Sequence, residues 1–217
     1  MQERLYVVID QSGSMKKMND SVYKGVQELI DVCSDDTMIV IITFNNDVKF
    51  VYRGSKRDMH DIDFRNSTGS TRLYDAVIAT MMDIGTFVGK CSIVLCTDGI
   101  DTSSTHTQYN AKDCIEKFKI NPNNRITFLG VNQDAILNAT AIGIPAHSSI
   151  SVGTTHGEII SAYRSTSANM TSDTGFTQLQ RQMSLVEQIP PPLQRQTSSA
   201  IDNNNVLPPP ITRSSHI

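Results

Sequence analysis

The chain has 217 residues, 39% of them hydrophobic and 19% charged, and a formal net charge of −3 from 19 basic and 22 acidic side chains. That length can bury a substantial core without metal or disulfide staples, and the lack of a basic excess argues against a nucleic-acid partner. The longest wholly apolar run, Met38 to Ile42, is far shorter than the ~20 residues of a membrane span, and Leu5 to Ile9 is too short for a signal-peptide core, so no membrane insertion is expected and the expected location is intracellular, in the cytoplasm, or in a virion if the chain is virally encoded.

Leu5 to Ile9 reads as a short strand ending in Asp10. Met15, Met18, Val22, Val26, Leu29, Ile30 and Cys33 then recur at three and four positions, one face of a helix. Met38 to Phe44 is rich in β-branched residues, the pattern of a strand buried on both faces. Asn45-Asn46-Asp47 is turn chemistry. After it Val48, Phe50 and Tyr52 alternate with polar residues, as the antiparallel second arm of a hairpin would. A polar connection follows, with at most a short helix near Asp58 to Asp61.

A helix through Leu73, Val77, Thr80, Met81 and Ile84 opens just after Thr71. Ser92 to Thr97 is a buried strand ending in Asp98-Gly99, and Ala111, Cys114, Ile115 and Phe118 mark the next helix. Arg125 to Val131 is a strand, and the helix through Ala135, Ile136, Ala139 and Ile142 is stopped by Gly143 and Pro145. Ser149 to Val152 and Glu158 to about Met170 supply a last strand and a last helix. This β/α alternation implies a mostly parallel sheet covered by helices on both faces. Met15, Met18, Met81 and Met82 read as core filler.

Composition changes near residue 172. Six of the eight prolines fall in the last 28 residues, the last lysine is Lys119, and Gln, Asn, Ser and Thr dominate the remainder. Residues 1–172 read as the folded domain and 173–217 as a Pro/Gln/Ser-rich tail, extended or disordered unless bound. The tail repeats itself: Ile189-Pro-Pro-Pro-Leu193 resembles Leu207-Pro-Pro-Pro-Ile211, and Leu179-Gln-Arg-Gln echoes Leu193-Gln-Arg-Gln. Proline triplets favour an extended helix that costs little entropy to dock on a second protein or an assembly. Ser184 and Ser198, each three residues after an Arg, are candidates for phosphorylation. The four cysteines show no paired framework and no C-x-x-C spacing, and Cys91 and Cys96 lie an odd offset apart, on opposite faces of a strand. Buried reduced thiols are the reading that follows.

Three polar clusters fall just past strand C-termini, where an open α/β sheet places its ligand site. They are Asp10-Gln11-Ser12-Gly13-Ser14, Gly69-Ser70-Thr71 and Asp98-Gly99. Asp10 and Asp98 offer carboxylate oxygens; Ser12, Ser14 and Thr71 offer hydroxyl oxygens. An all-oxygen set selects a hard divalent cation, Mg²⁺ or Mn²⁺, with Ca²⁺ also compatible. The i, i+2, i+4 spacing suits an extended loop with alternate side chains on one side, and Gly13 would let that backbone bend around the ion. Two carboxylates neutralise such an ion only formally, and five side chains leave a position open. An Asp or Glu of a partner protein would fill it.

These five positions, with Val8-Ile9-Asp10-Gln11-Ser12-Gly13-Ser14-Met15, Gly69-Ser70-Thr71-Arg72-Leu73-Tyr74-Asp75-Ala76 and Thr97-Asp98-Gly99 around them, resemble the metal-ion-dependent adhesion site of von Willebrand factor A domains. The resemblance covers roughly residues 4–170. It implies a Rossmann-like, doubly wound sheet of six strands with one antiparallel edge strand, the arm near Val48 to Arg53. It implies that the strands ending in Asp10 and Asp98 are neighbours at the topological switch point. It also implies metal-dependent protein–protein binding, a water between Asp98 and the ion, and a Thr71 that exchanges between direct and water-mediated contact.

Plainer roles compete at several positions. Asp10, Ser12 and Ser14 could cap the helix that follows. Asp75 and Asp101 read as helix-start or loop charges rather than ligands, and the five histidines are scattered without metal spacing. An enzyme is not expected. Phosphotransfer sites with a nucleophilic aspartate need a second acid two residues on, and Ser12 stands there. No phosphate-cradling Gly-rich loop with a lysine appears. The alternative to a metal-dependent binding module is a structural subunit of a large complex, such as a minor viral or phage component, held mainly by its tail.

Overall fold

A computed structural model describes residues 2–172 and 174–185. Twelve regular elements follow in order: β1 (Glu3–Asp10), α1 (Asn19–Asp31), β2 (Met38–Phe44), β3 (Val48–Ser55), α2 (Leu73–Ile84), β4 (Lys90–Thr97), α3 (Gln108–Lys119), β5 (Asn124–Val131), α4 (Ala135–Ala141), β6 (Ser149–Val152), α5 (His156–Ser172) and α6 (Gln178–Met183). The strands form one sheet in the order β3-β2-β1-β4-β5-β6. Only β3 runs antiparallel to its neighbour. This is the doubly wound, mostly parallel arrangement with one antiparallel edge. The chain winds outward from β1 in one direction and then from β4 in the other, so the switch point lies between those two strands.

Alternation along β1 builds both cores. Leu5, Val7 and Ile9 point to one face, where α1 and α5 cover them through Val26, Leu29, Ile159 and Tyr163. Tyr6 and Val8 point to the other, under Leu73, Val77, Ile115, Phe118 and Ala139 of α2, α3 and α4. A strand buried on both faces needs a continuous apolar run, which Leu5–Ile9 of β1, Met38–Ile42 of β2 and Ile93–Cys96 of β4 supply. Cys96 belongs to the first core and Cys91 to the second, as the odd offset requires. All four cysteines are unpaired, and burial pushes the thiols of Cys91 and Cys96 up to about 12, so they sit as inert apolar groups.

The structure departs from the pattern in four places. In β3, Ile41 pairs with Tyr52 and Ile42 with Phe50, which leaves Val51 as a bulge. The extra residue breaks the alternation: Val51 and Tyr52 pack on the first core, Val48 on the second, and Phe50 is 43% exposed. The helical turn in the following connection is Lys56–Asp58, a 3-10 turn slightly upstream of the expected stretch. Met82 is 77% exposed and is not core, unlike Met15 and Met18.

Lastly, residues 174–185, placed in the tail on composition, include α6 and lie along β6. Thr177 and Gln180 form a capping box at its start. Phe176 is buried in the first core, Arg181 donates to the carbonyls of Ser149 and Ala146, and Gly153 N–H donates to the Ser184 carbonyl at 2.8 Å. Ser184 is fully buried, its hydroxyl donating to the carbonyls of Ser151 and Arg181, so the site considered for phosphorylation is closed off in this structure. Both proline triplets and Ser198 lie outside the described residues.

Candidate metal centre

Parallel pairing of β1 with β4 puts Ile9 opposite Cys96, so Asp10, the last residue of β1, and Asp98, the first beyond β4, emerge side by side. Asp10 is 1% exposed. Its Oδ1 accepts the Ser12 backbone N–H at 2.7 Å, and its Oδ2 accepts the Thr97 hydroxyl at 2.5 Å. The local turn is therefore held by Asp10 itself, while Ser12, although it precedes the helical turn Gly13–Met18, makes no side-chain capping bond.

Ser12 is extended (φ −63°, ψ 163°) and Ser14 already lies in that 3-10 turn. Their hydroxyls are nonetheless 3.1 Å apart. Both converge on one oxygen of the distant carboxylate, Ser14 Oγ donating to Asp98 Oδ1 at 2.8 Å and Ser12 Oγ to the same atom at 3.5 Å. The convergence comes from the start of a helix rather than from a fully extended loop. Gly13 does not need its freedom either: a Cβ there would meet nothing closer than 3.7 Å, at the Gly69 carbonyl.

The glycine the site requires is Gly69, at φ +79°, where a Cβ would also run into the Asn46 side chain at 2.5 Å. Asn46 Oδ1 accepts the N–H and hydroxyl of Ser70 at 2.9 and 2.7 Å. Two backbone bonds, Gly13 N–H to the Gly69 carbonyl (3.1 Å) and Thr68 N–H to the Gln11 carbonyl (2.8 Å), lash the second loop to the first. Thr71 is buried, and its hydroxyl lies against Gly99: a Cβ on that glycine would be 3.6 Å from Thr71 Oγ1. Asp10, Ser12, Ser14 and Asp98 are thus joined in one hydrogen-bonded chain, and Thr71 flanks it through Gly99.

Burial drives the Asp10 carboxyl above its ordinary value. Hydrogen bonds from Thr97 and Ser12 work against that rise, and the charge of Asp98 adds to it. Burial likewise raises Asp98, against its hydrogen bonds from Ser14 and Ser12. Neither carboxylate forms an ion pair among the described residues. Two under-compensated anions beside three hydroxyl oxygens fit a hard divalent cation, whose charge would remove the penalty. Among the described residues there is no group of three or more His, Cys, Asp and Glu side chains placed to hold a metal, so this site rests on two acids only.

Several residues that hold the site were not singled out from the sequence. Thr97 orients Asp10 and is fully buried, although it adjoins Asp98 in the chain. Thr102 and Ser103 donate their backbone N–H groups to the Thr71 carbonyl at 2.9 and 3.2 Å.

No protein-family model matches the chain, and no curated protein sequence matches it. Solved structures do. Proximal thread matrix protein 1 from the mussel byssus superimposes with a TM-score of 0.61 at 16% identity, over 76% of this chain and 46% of that one. A second structure of it, described as having a zinc-occupied MIDAS motif, gives 0.59 at 17% identity, over 76% and 46%. VWA2, an ArnB paralog from Sulfolobus acidocaldarius, gives 0.58 at 20% identity, over 75% and 44%. The pilus adhesin SpaC from Lactobacillus rhamnosus GG gives 0.63 at 14% identity, over 80% and 30%. The chain spans less than half the length of each of these proteins. At such identities the likeness is one of fold, and the fold is that of a von Willebrand factor A domain.

Proposed function

We propose that the chain is a metal-dependent protein-interaction module that binds an acidic side chain of a partner protein through Mg²⁺ held by Asp10, Ser12, Ser14, Thr71 and Asp98. The observation that carries this reading is the meeting of one buried and one half-buried carboxylate, both under-compensated, and two serine hydroxyls at the sheet's switch point, Ser14 Oγ being 2.8 Å from Asp98 Oδ1. Supporting it, the mussel matrix protein of the same fold is described with a metal in its adhesion motif.

Each group has a distinct task. Asp10 supplies charge from beneath the site, fixed by Ser12 N–H and Thr97. Ser12 and Ser14 supply neutral oxygens from the helical turn. Thr71 and Asp98 close the far side. The bound ion would supply a Lewis-acidic position that accepts a carboxylate. Ser14, on the exposed side, marks where a partner approaches. The module is proposed as non-catalytic, because the position two residues beyond Asp10 carries a hydroxyl and not a second acid.

The test is affinity purification of partners with the full chain in Mg²⁺ and again in chelator, beside the Asp10→Ala variant. The reading expects capture that depends on Mg²⁺ and disappears in the variant. Partners retained equally in chelator and by Asp10→Ala, with the variant folded, would refute it.

A further inference from the structure

The segment after Asp98 is tied to the start of α2. The helix α2 has no side-chain cap of its own, since Arg72 occupies the capping position and makes no such bond. The orphan N–H groups of its first turn are capped from another loop. Tyr74 N–H donates to Asp101 Oδ1 at 3.3 Å and Asp75 N–H to Ser104 Oγ at 3.0 Å. Ser104 Oγ in turn donates to Asp101 Oδ1 at 2.5 Å.

The helix answers with its own side chain. Asp75, 10% exposed at its side chain, accepts the backbone N–H groups of Thr105 (2.9 Å) and His106 (3.0 Å), the Thr105 hydroxyl (3.2 Å) and His106 Nδ1 (2.7 Å). Thr71 N–H donates to Thr102 Oγ1 at 3.0 Å, and the hydroxyls of Ser70 and Ser103 are 2.7 Å apart. Residues 70–75 and 101–106 therefore form a two-way clasp. Thr71 leads into one jaw and Asp98 into the other.

We infer that Asp75, Asp101 and Ser104 are positioning residues that set the spacing between Thr71 and Asp98 and thereby bias the site toward the smaller Mg²⁺ over Ca²⁺. The inference rests on the function proposed above. None of the three needs to touch the ion. Mg²⁺ demands near-ideal octahedral geometry at short distances, whereas Ca²⁺ tolerates longer and irregular ones. A site held to a fixed width favours the smaller ion, and a loosened one gives up that preference first.

The test is calorimetric titration of the full chain with MgCl₂ and with CaCl₂, for wild type, Asp75→Ala and Ser104→Ala, each beside a thermal melt without metal. Ser104→Ala removes one hydroxyl from a loop, so it decides the matter if Asp75→Ala does not fold. The expected result is a Mg²⁺ affinity lowered about tenfold, the usual scale for losing an outer-shell support, with Ca²⁺ affinity lowered less than about threefold. Equal losses for both ions, or unchanged affinities with only a lower melting temperature, would make the clasp merely structural and overturn the inference. A wild type that binds neither ion would instead overturn the reading of the site itself, and the clasp's role with it.

Discussion

Thr97 Oγ1 lies 2.5 Å from Asp10 Oδ2, a bond between the ends of two adjacent parallel strands that is shut away from solvent. It fixes one oxygen of the deepest carboxylate before any ligand arrives. Hydrogen bonds to charged groups contribute about 1.5–3 kcal/mol. Thr97→Val keeps the shape and removes the donor. Its Mg²⁺ affinity is expected to fall roughly tenfold or more by calorimetry, with a circular dichroism spectrum like that of wild type. An unchanged affinity would show that Thr97 does not support the site.

Proton competition follows from the raised carboxyls. Burial lifts both Asp10 and Asp98 above the ordinary carboxylate range, and the ion needs both ionised. Metal affinity is therefore complete above those raised values and is lost as pH falls through them, at a higher pH than for ordinary carboxylates near 4. Without metal the sign reverses. Groups whose folded values are raised favour the folded state on the acid side and oppose it once ionised. Melting temperatures measured across pH, with and without Mg²⁺, are expected to diverge progressively as pH rises through this window. Parallel curves would contradict it.

Most of the scaffold was legible in the residues because apolar periodicity answers directly to burial. The runs Leu5–Ile9 and Met38–Phe44 and the spacing of Val22, Val26 and Leu29 leave few alternatives. The Asp10, Ser12, Ser14 cluster was legible because polar residues at a strand's end have no core role. The bulge at Val51 was not, because the residue types around it still alternate in the sequence while the inserted residue breaks the alternation of faces. The clasp was hidden for another reason. Ser104 and Asp101 cap a helix that begins about thirty residues earlier, and a cap supplied from another loop leaves no local signature. The strap at 174–185 was missed because Phe176, Arg181 and Ser184 act singly and show no helical period.

That strap makes a measurable claim. Phe176 is buried against the first core, and Arg181 holds two carbonyls at the edge of the sheet. Phe176→Ala is expected to cost about 3 kcal/mol, which lowers the melting temperature by roughly 6–12 °C in a domain of this size. A change below about 2 °C would show that the segment adds little.

Close packing between α1 and α5 supplies a second stability test. A Cβ on Gly25 would lie 2.2 Å from Cδ2 of the Tyr163 ring, which is itself fully buried. Gly25→Ala gains helix propensity but forces the two helices apart, for a net loss of about 1–3 kcal/mol by denaturant titration. A stabilised variant would mean that the interface yields easily.

Whether oxygens from three separate loops enclose one divalent cation can be seen by anomalous diffraction from a crystal of the chain soaked in Mn²⁺. A single strong peak bounded by Asp10, Ser12, Ser14, Thr71 and Asp98 is expected. The absence of a peak there, in crystals where those loops are ordered and accessible, would contradict it.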